Sequence, residues 1–104
     1  MKVSFSPAAS DDLMEIAIYI AQDSPKRALS FVDELEATCN RLGNAPGIGT
    51  ARPELGQDLR MWPHGNYLIF YRHQRQVVRI ERIMHGSCDI GGEDIASMDM
   101  DADE

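Results

Sequence analysis

Two Ser-Pro steps, Ser6-Pro7 and Ser24-Pro25, constrain the fold of this 104-residue chain more than any other feature. Serine can accept a hydrogen bond from an orphan amide at a helix start, and proline suits the first helical position. After the first step, Leu13, Ile16, Ala17 and Ile20 recur at helical spacing. Asp11, Asp12 and Glu15 sit early, where the helix dipole favours negative charge. After the second step, Ala28, Phe31, Val32, Leu35, Cys39 and Leu42 form another apolar stripe, and Gly43 supplies a stop. Almost nothing separates the two segments, so they are predicted to form an antiparallel helical hairpin.

Strand patterns flank this hairpin. Lys2–Phe5 alternates polar and apolar residues. Residues 44–57 contain Pro46, Gly47, Gly49, Pro53 and Gly56 and read as a loop. Asp58–Pro63, Tyr67–Arg72 and Val77–His85 follow as three strands, with turns at Gly65-Asn66 and His73–Gln76. The predicted order is β-α-α-β-β-β, an α+β fold with the helical hairpin laid on one face of an antiparallel meander. About eight large apolar helix side chains would be buried, worth roughly 1.5–3 kcal/mol each before conformational entropy is set against them. Length allows one domain, expected over residues 1–90, followed at 91–104 by an acidic tail without periodicity, read as disordered.

The net charge of −7 conceals a polarised chain. Residues 89–104 hold seven acidic groups and no basic ones. Residues 1–40 carry three basic and seven acidic groups, whereas residues 41–88 carry seven arginines against Glu54, Asp58 and Glu81. A basic second half favours nucleic acid or an acidic protein segment as partner. Cys39 and Cys88 form no Cys-x-x-Cys pair, no secretory signal opens the sequence, and no apolar run is long enough for a membrane span. The reading is a protein of a reducing cytoplasm with free thiols and no membrane association.

Strict strand alternation puts Leu59 and Met61 opposite Arg60, Trp62 and His64, Leu68 and Phe70 opposite Ile69 and Tyr71, and Val78, Ile80 and Met84 opposite Arg79, Glu81 and His85. Arg82 then falls on the apolar side and must find a partner, such as a helix carboxylate. The face holding Arg60, Trp62, Tyr71, Arg79 and His85 suits recognition of phosphates, bases or acidic protein segments, and equally suits an ordinary solvated sheet face. His85 is the one obvious acid–base group, although a lone histidine is more often structural. The histidines and cysteines lack metal-ligand spacing, and Gly47-Ile48-Gly49 does not open a helix as a dinucleotide site would, so neither metal nor cofactor is expected.

Several pieces taken together carry a family resemblance: Ser6-Pro7-Ala8-Ala9 with Asp12-Leu13, Ile48-Gly49, Arg52-Pro53-Glu54-Leu55-Gly56, Leu59-Arg60, the Tyr67–Arg72 segment, and Arg82 with His85-Gly86. From Val3 to Ile90 the chain resembles the ParE branch of the ParE/RelE toxin superfamily. The resemblance implies a toxin of a bacterial plasmid- or chromosome-stabilising toxin–antitoxin pair. It would poison DNA gyrase by trapping the enzyme on cut DNA, would be neutralised by a cognate ParD-like antitoxin, and would bind no nucleic-acid sequence by itself. Arg60, Trp62, Tyr71, Arg79 and His85 are the expected target-binding residues, with no catalytic residue assigned. A groove around Leu13, Ile20 and Phe31 is the expected antitoxin site. The alternatives are a RelE-like ribosome-dependent endoribonuclease, for which Arg60, Arg79 and His85 would be a partial acid–base set, and a non-toxic antitoxin-binding member. Two departures stand out. Cys88 occupies a position often basic in ParE-like chains, and the acidic extension is longer than usual. That extension would either be freely solvated or fold back on the arginine face.

Overall fold

In a computed structural model that describes residues 2–86, the chain runs β1 (Lys2–Phe5), α1 (Pro7–Asp23), α2 (Pro25–Asn44), a 3-10 turn (Pro46–Ile48), β2 (Thr50–Ala51), β3 (Leu59–His64), β4 (Tyr67–Gln74) and β5 (Val77–His85). The sheet order is β1-β5-β4-β3-β2, with β1 parallel to β5 and the other pairs antiparallel. The expected tail at 91–104 and Cys88 lie outside the described residues.

Both Ser-Pro steps do what their chemistry suggests. The Ser6 hydroxyl accepts from Ala9 N–H at 3.0 Å and donates to the Glu81 carbonyl at 2.8 Å, so one side chain caps α1 and ties it to β5. Ser24 closes α1 by donating its N–H to the Ile20 carbonyl, and it opens α2 by accepting from Arg27 N–H. One residue therefore serves both helices, which is why the hairpin needs no linker. Caps of this kind contribute about 1 kcal/mol each. Gly43 does not stop α2, contrary to the sequence expectation. The helix runs on to Asn44, and Ala45 N–H donates to the Arg41 carbonyl.

The helical hairpin covers one sheet face. Ala9, Ile16, Phe31, Leu35, Cys39 and Leu42 pack with Ile69, Tyr71, Val78, Ile80 and Ile83. Burial pushes the Cys39 thiol up to about 12, so it is a neutral core group. A second cluster, Leu59 and Phe70 with Leu55, Met61, Leu68 and Met84, lies on the opposite face. Both sheet faces thus carry an apolar cluster. Alternation alone cannot tell which row meets the helices, and the aromatic row does.

A β-bulge overturns the strict alternation expected for β5. Tyr71 pairs with Ile80 and Phe70 with Arg82, leaving Glu81 as the extra residue. Downstream of it, Ile83 and His85 move to the helix-facing side, whereas Arg82 and Met84 move to the other. The apparent misplacement of Arg82 in the sequence is the signature of this bulge. Its expected carboxylate partner is Asp12 of α1, held by two bonds of 2.7 and 3.1 Å. Asp12 also accepts from Ile83 N–H at 3.0 Å. β1 pairs with β5 only as far as Ile80, so this carboxylate replaces a neighbouring strand on the remaining edge.

Candidate functional site

The five expected target-binding residues do not share one exposed face. Tyr71 is 0% exposed, because its strand row lies under the helices. Its hydroxyl donates to the Pro46 carbonyl at 2.7 Å and accepts from Gly49 N–H at 3.0 Å. Burial raises its pKa above the usual phenol value, with smaller opposing effects from the Gly49 bond and Arg60. Tyr71 is thus an anchor for the 46–49 loop and presents no surface to a target. Arg79 lies on the opposite face, beside Glu81 at 3.4 Å. His85 is exposed at the far end of β5, edge-to-face against Tyr67 with ring centroids 5.3 Å apart.

Arg60 and Trp62 remain together. They alternate with Met61 on β3 and face the side on which α2 lies. Arg60 donates to the Gly49 carbonyl at 2.7 Å and reaches the Gly47 carbonyl at 3.4 Å, on either side of exposed Ile48. The guanidinium of Arg41, from the last turn of α2, sits 5.9 Å from the Trp62 ring centroid. One residue further along this row, His64 shares a 3.0 Å hydrogen bond with Thr38. The result is a cation–aromatic–cation patch of Arg41, Trp62 and Arg60, with Ile48 at its rim. Such patches take anionic or aromatic groups. Sequence reasoning missed Arg41. Its only signal was a basic residue on the exposed side of the last helical turn.

The expected antitoxin residues are divided between two concavities. Ile20 and Phe31 line a cleft of about 420 Å³ with Tyr19, Arg27, Tyr67 and His85. Phe31 forms its floor, edge-to-face with both Tyr67 and His64. Burial and the nearby Tyr19 hydroxyl raise the Tyr67 pKa. Leu13 lies elsewhere, in a groove of about 340 Å³ between the helices, lined also by Phe5, Met14, Ala17 and Val32. Met14 and Ile18, one turn apart on α1, are 65% and 58% exposed.

Arg60, Arg79 and His85 do not converge into an acid–base set. Arg79 faces away from Arg60, and the β4 partners of Arg60 and His85, Tyr71 and Tyr67, are four residues apart, about 13 Å along the strand. Among the described residues no group of three or more His, Cys, Asp and Glu side chains is placed to hold a metal ion. No described helix is long and apolar enough to cross a membrane.

No curated protein sequence matches the chain. A solved structure described as the chromosomal ParDE toxin–antitoxin system from P. aeruginosa is similar at a TM-score of 0.69. It shares 22% identity and covers 82% of this chain and 95% of that one, a likeness of fold. The family model for the ParE toxin of the type II toxin–antitoxin system parDE matches residues 3–90. That match spans both Ser-Pro helices, the whole meander and the Arg60–Trp62 row, so the chain belongs to the ParE toxin family of type II toxin–antitoxin systems.

Proposed function

We propose that this toxin acts in the bacterial cytoplasm on DNA gyrase, holding the enzyme on cut DNA, and that a ParD-like antitoxin neutralises it. The observation that carries the target reading is the Arg41–Trp62–Arg60 patch in a chain of this family. A partly exposed tryptophan between two arginines has the composition of an interface hot spot. A target segment bearing carboxylates or phosphates would stack on Trp62 and pair with the guanidiniums. No observation favours the endoribonuclease alternative, which needs converging acid–base groups.

The test is a DNA-cleavage assay with purified gyrase. Wild-type protein is expected to accumulate gyrase-linked cut DNA. Trp62→Ala should need on the order of 30-fold more protein for the same cleavage, the cost of removing a hot spot of about 2 kcal/mol. Circular dichroism checks that the variant is folded. Absence of both cleavage and supercoiling inhibition with folded wild-type protein would sink the gyrase reading.

The antitoxin would lay an amphipathic helix over the groove between α1 and α2 and extend toward the aromatic cleft. Exposed Met14 and Ile18 beside the Leu13–Val32 groove support this placement. Met14→Asp combined with Ile18→Asp is expected to weaken the antitoxin complex by at least about 100-fold, since two anchors would be charged and desolvated on binding. Calorimetry with the antitoxin gives the measurement. An unchanged affinity would move the antitoxin to another surface.

A further inference from the structure

Most of the arginines are neutralised within the fold. Arg27, Arg52, Arg72, Arg79 and Arg82 each lie within 4 Å of a carboxylate oxygen of Glu34, Glu54, Glu81 or Asp12. Arg41 and Arg60 have no carboxylate at that distance among the described residues. Arg41 lies over Trp62, and Arg60 uses backbone carbonyls. Arg75, similarly placed with respect to carboxylates, sits in the β4–β5 turn at the other end of the sheet. The patch at β3 is therefore a cationic site whose charge the described fold leaves unbalanced.

The chain itself carries the matching charge. Glu93, Asp94, Asp99, Asp101, Asp103 and Glu104 follow the toxin fold with no intervening basic residue. The described chain leaves the sheet near the patch. Gly86 N–H donates to the Asn66 carbonyl at 2.7 Å, which fixes the exit of β5 beside the β3–β4 turn. Trp62 precedes Asn66 by four residues, the last two in the β3–β4 turn, so the two lie at most about 14 Å apart. Seven residues, from Gly86 to Glu93, span up to about 24 Å, which is enough length to bring the first acidic pair within reach of Trp62 and the later acids within reach of Arg60.

We infer that the Arg41–Trp62–Arg60 patch is an acidic-peptide site whose occupant in the free toxin is the chain's own segment from Glu93 to Glu104. Tethering supplies the affinity. A segment of this length is present at the patch at an effective concentration in the millimolar range, enough to half-fill a weak electrostatic site. The contact is screened by salt, because the charges are near the surface and the Debye length shortens from about 10 Å at 0.1 M to about 3 Å at 1 M. Competition between this segment and the target rests on the target reading above, whereas occupation of the patch does not.

Trp62 is the only tryptophan in the chain, so its fluorescence reports the patch alone. The experiment compares acrylamide quenching of the full-length protein with that of a variant carrying Glu93→Gln, Asp94→Asn, Asp99→Asn, Asp101→Asn, Asp103→Asn and Glu104→Gln. Acrylamide is neutral, so it reads shielding and ignores surface potential. All six positions lie outside the described residues, and circular dichroism checks that the variant is folded. The neutralised variant is expected to be quenched about twofold more strongly at low salt, and the difference should vanish near 1 M salt. Arg41→Gln with the native segment should likewise lose its sensitivity to salt. Equal quenching of the native and neutralised proteins at low salt would overturn the inference, whatever gyrase does in the cleavage assay.

Discussion

Glu81→Gln is expected to lower stability by about 3–5 kcal/mol, the usual result of removing one partner from a buried ion pair. The β5 bulge inserts Glu81 between Arg72 at 3.3 Å and Arg79 at 3.4 Å, and the carboxylate-bearing residue is 1% exposed. Arg72 is itself buried and lies directly opposite Arg79 in the β4–β5 ladder. Removing the negative charge leaves two guanidiniums facing each other across adjacent strands, one of them taken out of water. In a domain of this size each kcal/mol lowers Tm by roughly 4–8 °C, so the variant should melt well below the native protein. Glu81→Leu combined with Arg72→Met should recover much of the loss, because a buried ion pair replaced by packed apolar groups is often neutral or better. Urea denaturation of the three proteins measures both effects. A single-variant loss below about 0.5 kcal/mol, the range of ordinary surface substitutions, would mean that the ion pairs do not hold these strands together.

The second large effect is expected at Gly49. A Cβ built there would lie 2.3 Å from the Tyr71 hydroxyl oxygen and 2.8 Å from the ring. The ring cannot retreat, because it is packed in the core and its hydroxyl is bonded on both sides. Gly49→Ala should therefore cost about 3 kcal/mol, from overpacking together with two lost hydrogen bonds. Tyr71→Phe should cost about 1–3 kcal/mol by leaving the Gly49 N–H and Pro46 carbonyl unmatched. The double variant should cost less than the sum, since the nearest clashing atom is gone and the same two hydrogen bonds can be lost only once. The same group shapes the alkaline limit. Its folded pKa is raised, so its contribution is complete below the unfolded value of about 10 and is lost as pH climbs through the folded value. Tyr71→Phe should flatten that part of the stability profile. Strict additivity of the two substitutions would rule out the proposed clash. The loop also supplies the carbonyls that hold Arg60, so Gly49→Ala should loosen the Arg41–Trp62–Arg60 patch along with the fold.

The fold was legible because its determinants are local. Ser6 and Ser24 signal helix starts through cap chemistry that depends on the next three residues alone. β1 and β5 have the limits expected from their patterns, and the Arg82 partner on a helix could be anticipated because a buried guanidinium demands one. β2 was not foreseen. Two residues, Thr50 and Ala51, carry no period, and pairing with Arg60 and Met61 alone makes them a strand.

The candidate site was harder to read, and the reasons are physical. Tyr71 and Arg60 look alike as polar groups in a strand row, but one is covered by α2 and the 46–49 loop while the other reaches its edge. Strict alternation grouped Arg79 with His85, and the bulge at Glu81 puts the two on opposite faces. Arg41 and Trp62 are 21 positions apart, and only packing of α2 against β3 makes them neighbours. The sequence by itself determined both helices, the four longer strands, their order and the family, because caps, periods and motifs act over a few residues. The tertiary structure alone decided which apolar row is core, where the bulge turns β5, and which arginines keep their charge available. Those outcomes depend on contacts between segments far apart in the chain, where a one-residue bulge exchanges the faces of everything beyond it.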